Sequence, residues 1–159
     1  RQASVALPAE ADIVVTTNAG YPLDQDLYQA VKGMVGALPA VKNGGTIIIA
    51  SACSCGIGSD IFRKMLFEMR DGDSFLAMIK RPGFFYIDQW EVEELIKAKR
   101  KADIRMYSTG IAAGDLRRCH VDPVPSVEQG INDALKKHGP NARITVIPSG
   151  PYVIPYISR

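Results

Sequence analysis

Short β-branched runs alternate along this chain with longer stretches of helical period, and that alternation limits the fold more than any other feature. Residues 12–17 (DIVVTT) and 46–50 (TIIIA) are continuous apolar runs without polar alternation, the pattern of strands covered on both faces. Residues 104–108 and 143–147 (RITVI) read as two more strands. A helical pattern runs from about residue 25 to 38, with Asp24 as a possible cap, and Gly44-Gly45 then breaks the chain. Ser59 is an N-cap for a second helix, with Ile61, Phe62, Met65, Leu66 and Met69 on one face, and Asp71-Gly72-Asp73 ends it. Residues 75–79 fit helix or strand equally. Asp88 with Glu91, and Ser126 with Gln129, have capping-box spacing at the heads of two further helices. The first reaches about Lys101. The second buries Val127, Ile131, Ala134 and Leu135, and stops at Gly139-Pro140. The tail, residues 152–157, is β-like but bounded by Pro151 and broken by Pro155, which suits an edge.

Strand and helix in alternation give an α/β fold: a mostly parallel sheet of about four to six strands with helices on both faces, a Rossmann-like layered architecture. The length of 159 residues suits one domain, 1–159. Lys and Arg number 19 against 17 Asp and Glu, a net charge of +2, which gives no cationic excess for a nucleic-acid partner. The hydrophobic content of 47% excludes disorder, and no apolar run approaches the roughly 20 residues that span a bilayer. Three cysteines suit a reducing, cytoplasmic compartment better than a disulfide framework. The chain begins at Arg1 rather than Met and is expected to be a piece of a longer protein.

In parallel α/β folds ligands sit beyond the carboxyl ends of the strands. Residues 18–24, 51–59 and 109–115 are therefore the candidate functional loops. On the first helix, Leu27, Val31, Met34 and Leu38 form one apolar stripe that must face the sheet. Gln29 and Lys32, three residues apart and off that stripe, are surface neighbours flanked by Tyr28. An amide beside an ammonium is a fitting grip for a carboxylate, although a solvated helix face carries the same pattern. Tyr21, in the loop before the helix, is not explained by turn chemistry. Trp90, the only tryptophan, reads equally as a packing residue or as a cleft wall.

The run Gly20-Tyr21-Pro22-Leu23-Asp24-Gln25-Asp26-Leu27-Tyr28-Gln29-Ala30-Val31-Lys32-Gly33 closely resembles the signature of the C-terminal domain of nickel-dependent lactate racemases. The resemblance continues through Gly44-Gly45-Thr46-Ile47-Ile48, from Cys53 to Gly58, through Asp88-Gln89-Trp90, and from Ser108 to Leu135, although the family often has an acidic residue where this chain has Cys55. It implies a two-domain isomerase that interconverts stereoisomers of a 2-hydroxy acid by removing and returning the α-hydride. The implied cofactor is a nickel pincer nucleotide tethered to a lysine of an N-terminal domain, which also supplies the nickel-ligating histidine and the acid and base histidines. By this resemblance Gln29, Lys32 and Trp90 position substrate and close the cleft, with Tyr28 and Tyr21 beside them. The partners are the N-terminal domain and the hydroxy acid. This chain alone is expected to be inactive and to hold no metal.

Two other readings stand beside that one. The turn from Gly56 to Ser59 follows a strand and opens a helix, where backbone N–H groups can bind a nucleotide or another anion. Cys53 and Cys55, two residues apart, could serve a soft metal or a redox pair. His138, in a last helical turn where a partial charge meets the dipole, and His120, in a basic segment, read as solvated surface.

Overall fold

Every strand pairing in the computed structural model, which describes residues 3–158, is parallel. The chain runs β1 (Ala3–Leu7), β2 (Ala11–Thr17), α1 (Leu27–Ala37), a 3-10 turn (Leu38–Ala40), β3 (Val41–Ala50), α2 (Asp60–Glu68), α3 (Gly72–Ile79) and α4 (Gln89–Lys101). It continues through β4 (Ala102–Tyr107), α5 (Ala113–Arg118), β5 (Asp122–Pro123), α6 (Val127–His138), β6 (Ile144–Ile147), a second 3-10 turn (Gly150–Tyr152) and β7 (Val153–Ile157). Five strands form one sheet in the order β5-β4-β3-β2-β6. This is the layered α/β architecture that the alternation predicts. A separate pair, β1 with β7, was not foreseen: two five-residue strands meet in register across the length of the chain.

The continuous apolar runs have a simple cause, since both sheet faces are covered. Val14, Ile47 and Ile49 join the large core under α1, α2 and α4. Their neighbours Ile13 and Ile48 point the other way and pack with Ala134, Ile131 and Leu135 of α6. Strands are added from β2 towards β5, and α6 then carries the chain back to the far side of β2. The carboxyl ends of β2 and β6 are thus a topological switch point. There the Thr17 hydroxyl donates to the carbonyl of Pro148 at 2.7 Å.

Leu27, Val31 and Met34 are fully buried and Leu38 nearly so, as their spacing requires. Gly33 lets α1 settle on the sheet: a Cβ there would lie 2.9 Å from both Ile49 Cδ1 and the Thr17 carbonyl. The N-cap of α1 is Asp26, which accepts from the Gln29 N–H at 2.8 Å, rather than Asp24. Asp24 is used earlier: its N–H bonds the Gly20 carbonyl and its own carbonyl accepts from Cys53 N.

Other expectations need correction. β3 runs through Gly44-Gly45 instead of starting after it, because Gly44 takes φ +77° and the pairing with β2 shifts register between Ala11 and Ile13. α2 ends at Glu68, and Asp71 caps α3 by accepting from Ser74 N, so residues 75–79 are helical. Ile61 is exposed, off the buried face of α2. The histidines are half-buried rather than fully solvated. His138 Nε2 lies 2.9 Å from the hydroxyl of buried Thr46, and burial lowers its pKa, which works against a charge at the helix C-terminus. His120 Nε2 is 3.2 Å from the carbonyl of Leu66. No helix among the described residues is long and apolar enough to cross a membrane.

Candidate functional site

The first two turns of α1 bring Tyr28, Gln29 and Lys32 to the surface beside the head of α4. Lys32 Nζ donates to Gln29 Oε1 at 2.6 Å. The ammonium also lies 5.7 Å from the centroid of the Tyr28 ring. Tyr28 is wedged edge-on between Trp90 at 5.6 Å and Phe62 at 5.2 Å, both near perpendicular. Four of the five residues singled out from sequence therefore form one chain of contacts. Tyr21 is not in that chain; it stands 84% exposed in the loop before α1. Trp90 is 52% exposed, so its ring packs on Tyr28 and also faces solvent.

The start of α1 is held by the neighbouring crossover. Leu27 N donates to the Gly56 carbonyl and Tyr28 N to the Ile57 carbonyl, so the loop after β3 satisfies N–H groups that the helix cannot. That loop also donates back, from Cys53 N to Asp24 O and from Cys55 N to Gln25 O. Ser59 caps α2 by accepting from Phe62 N and donates its hydroxyl to Asp88. The residues 56–59 turn consequently presents carbonyls to α1 and a hydroxyl to a carboxylate, with Asp26 and Asp60 close by. Such surroundings oppose an anion.

A groove of about 400 Å³ opens alongside Lys32, bounded by α1, the head of α4, and the turn and strand at residues 150–155. Trp90, Glu91 and Glu94 line its α4 side, and Ile154 and Pro155 its opposite wall. Sequence reasoning missed that wall, because β7 packs against α1 and the first 3-10 turn, elements far away in sequence.

Sequence reasoning also misplaced Glu91. The capping box with Asp88 does not form: Asp88 takes the left-handed conformation, φ 69°, makes no side-chain cap, and turns its carboxylate to Ser59. Glu91 instead belongs to the buried face of α4 with Val92, Leu95, Ile96 and Ala98, and is 1% exposed. Its i, i+4 and i, i+7 relation to Leu95 and Ala98 was the available signal. Burial pushes the Glu91 carboxyl up to about 7; the Lys32 ammonium opposes that rise, while Glu94, Asp88 and Asp26 reinforce it. Burial, then the charges of Asp88 and Glu91, pushes the Tyr28 phenol up to about 12.

Among the described residues, no group of three or more His, Cys, Asp and Glu is arranged to hold a metal ion. Cys53 is buried with its thiol pKa raised by burial, whereas Cys55 is exposed. The residues present do not fit a nickel centre, and no step through one is assigned to them.

Comparison with known proteins agrees with this fold. A family model described as the lactate racemase C-terminal domain matches residues 7–155. The lactate racemase of Lactiplantibacillus plantarum is 34% identical over 152 residues, which are 94% of this chain and 36% of that protein. That of Thermoanaerobacterium thermosaccharolyticum is 34% identical over 146 residues, 91% of this chain and 34% of the relative. The chain thus spans about a third of the length of these relatives. The solved lactate racemase apoprotein from Thermoanaerobacterium thermosaccharolyticum superposes with a TM-score of 0.85 at 33% identity, over 97% of this chain and 36% of that one. A Thermotoga maritima protein with a TM-score of 0.63 and 13% identity, covering 98% of this chain and 39% of its own, shares the fold alone. On the extent of the family match and a third of positions shared with two racemases, this chain belongs to the lactate racemase C-terminal domain family.

Proposed function

We propose that this chain is the substrate-positioning half of a two-domain racemase that interconverts stereoisomers of a 2-hydroxy acid, with lactate the first substrate to test. The observation that carries this reading is the 2.6 Å bond from Lys32 Nζ to Gln29 Oε1 on an exposed helix face. Because the carboxamide oxygen is turned to the ammonium, the carboxamide N–H₂ and the remaining ammonium N–H groups are left as donors on one small patch. A carboxylate needs two such donors and a fixed positive charge to be held in one orientation. Fixing the carboxylate matters in a racemase, because the flat intermediate must keep its place while either face is re-addressed. Trp90 and Tyr28 would form the wall that keeps water from that event, and Tyr21 the outer lip.

A nickel pincer nucleotide, held mainly by an N-terminal domain of the same polypeptide, would when bound supply the acceptor and donor of the hydride. The residues of this chain bind and orient. In the full-length protein, Lys32→Ala is expected to lower kcat/KM for lactate roughly 10- to 100-fold, the worth of a hydrogen bond to a charged group. Gln29→Ala should have a smaller effect of the same sign. Wild-type kinetics in both variants would overturn the assignment.

A further inference from the structure

We propose that Glu91 is a positioning residue for the carboxylate grip, sharing the Lys32 ammonium with bound substrate and taking up a proton from solvent as the substrate carboxylate arrives. The inference rests on the reading of Lys32 and Gln29 as that grip. Its geometric basis is the placement of a carboxyl group that is 1% exposed, on the apolar stripe of α4, at the side of a groove that also contains Lys32. Interior carboxylates are rare without a counter-charge. The ion that most favours the charged form of Glu91 is Lys32, which sits on the neighbouring helix.

The other charges facing Glu91 are Asp26 from the head of α1, and Asp88 and Glu94 from α4, all negative. The Tyr28 phenol, raised to about 12, stays neutral. The wall at residues 150–155 brings Gly150, Val153, Ile154 and Pro155, none of them ionisable. Glu94 is itself paired with Lys97 at 3.0 Å, which leaves Lys32 as the cation that acts on Glu91. When a substrate carboxylate binds at Lys32 it becomes a further acid competing for the same cation. A 2-hydroxy acid is far too strong an acid to be neutralised near pH 7, whereas a buried glutamate that already titrates there gives way by protonation. The balance is one proton from bulk water to one Glu91 carboxylate oxygen, with no other bond changed. Loss of that charge leaves Lys32 to Gln29 and the substrate.

The test uses the full-length enzyme. For the wild type, KM for lactate should rise roughly five- to fifteenfold between pH 7 and 8.5, the range open to a single linked proton. In Glu91→Gln, which cannot ionise, that rise should flatten to within about twofold, with the change in KM rather than kcat. Calorimetric titration with racemic lactate, at which net turnover contributes no heat, in two buffers of different ionisation enthalpy should show net proton uptake at pH 7 by the wild type. A Glu91→Gln enzyme with the wild-type slope, or a wild type without proton uptake, overturns the inference; the second measurement decides the matter even if the variant fails to fold. If Lys32→Ala leaves KM unchanged, the grip itself is wrong. If Lys32→Ala raises KM and Glu91→Gln keeps the slope, only the role of Glu91 falls.

Discussion

The hydroxyl of Ser59 donates to Asp88 Oδ2 at 2.7 Å, across 29 residues of sequence, and so ties the entry of α2 to the entry of α4. The same oxygen accepts from Phe62 N, which makes Ser59 both a cap and a clamp. Ser59→Ala removes both bonds. The cap alone is worth about 1 kcal/mol. The variant should unfold at lower urea concentration, and the emission of Trp90, the only tryptophan and two residues from Asp88, should shift in the folded state. An unchanged midpoint and spectrum would show that the clamp contributes nothing.

Gly33 is a packing requirement of the grip. An alanine methyl would press on Ile49 Cδ1 and on the Thr17 carbonyl, both at 2.9 Å, and the carbonyl belongs to a strand that cannot retreat. Gly33→Ala should cost about 1–3 kcal/mol, as over-packing of a close contact does. Helix propensity works in the opposite direction, favouring alanine by about 1 kcal/mol, so a stabilised variant would mean that α1 rides higher on the sheet than its contacts indicate.

Stability should respond to pH through Glu91 with a definite sign. Its carboxyl titrates near 7 in the folded chain against an ordinary value of 4.5. A raised acid is protonated in the folded state while the unfolded state has already ionised. The folded state therefore loses stability as pH rises from about 4.5 to about 7, and the loss is constant above that. Glu91→Gln should be more stable than the wild type at pH 8 by up to roughly 3 kcal/mol and show no such gain at pH 4. Denaturant melts of both proteins at the two pH values measure the difference.

His138 acts in the opposite direction. Burial, and then the charge of Lys137, lowers its pKa below 6.5. The unfolded state then binds a proton that the folded state resists, so the stability His138 contributes is present above pH 6.5 and is lost as pH falls through its folded value. His138→Gln, which keeps a polar group for the Thr46 hydroxyl, should lose less stability than the wild type between pH 6.5 and 5. Parallel loss in the two proteins would remove His138 as the cause.

The elements read correctly from sequence are those whose period is set by one covered face. The α1 stripe and the runs 12–17 and 46–50 carry their burial in their own spacing, and the pair Gln29 and Lys32 follows because it lies off that stripe. What was misread depends on partners distant in sequence. Gly44-Gly45 breaks the chain ahead of a strand by local rules, yet β3 runs through it and the register shift beside Ala11 absorbs it. The tail strand β7 was legible, but its partner β1 and their pairing across the whole chain were not. Glu91 was read as a cap because Asp88 stands three residues before it; the left-handed turn at Asp88 cancels that relation. The helix face of Glu91, read instead, would have placed it inside.

The backbone links between the head of α1 and the loop after β3 have a consequence for motion. With Leu27 and Tyr28 bonded to Gly56 and Ile57, and Cys53 and Cys55 bonded back to Asp24 and Gln25, two crossovers are laced together just ahead of Gln29 and Lys32. Neither residue can swing on a private hinge without undoing several of those ties. If the site opens and shuts during turnover, this lobe would travel as one stiff block, and hydrogen exchange at these amides should stay slow throughout the cycle.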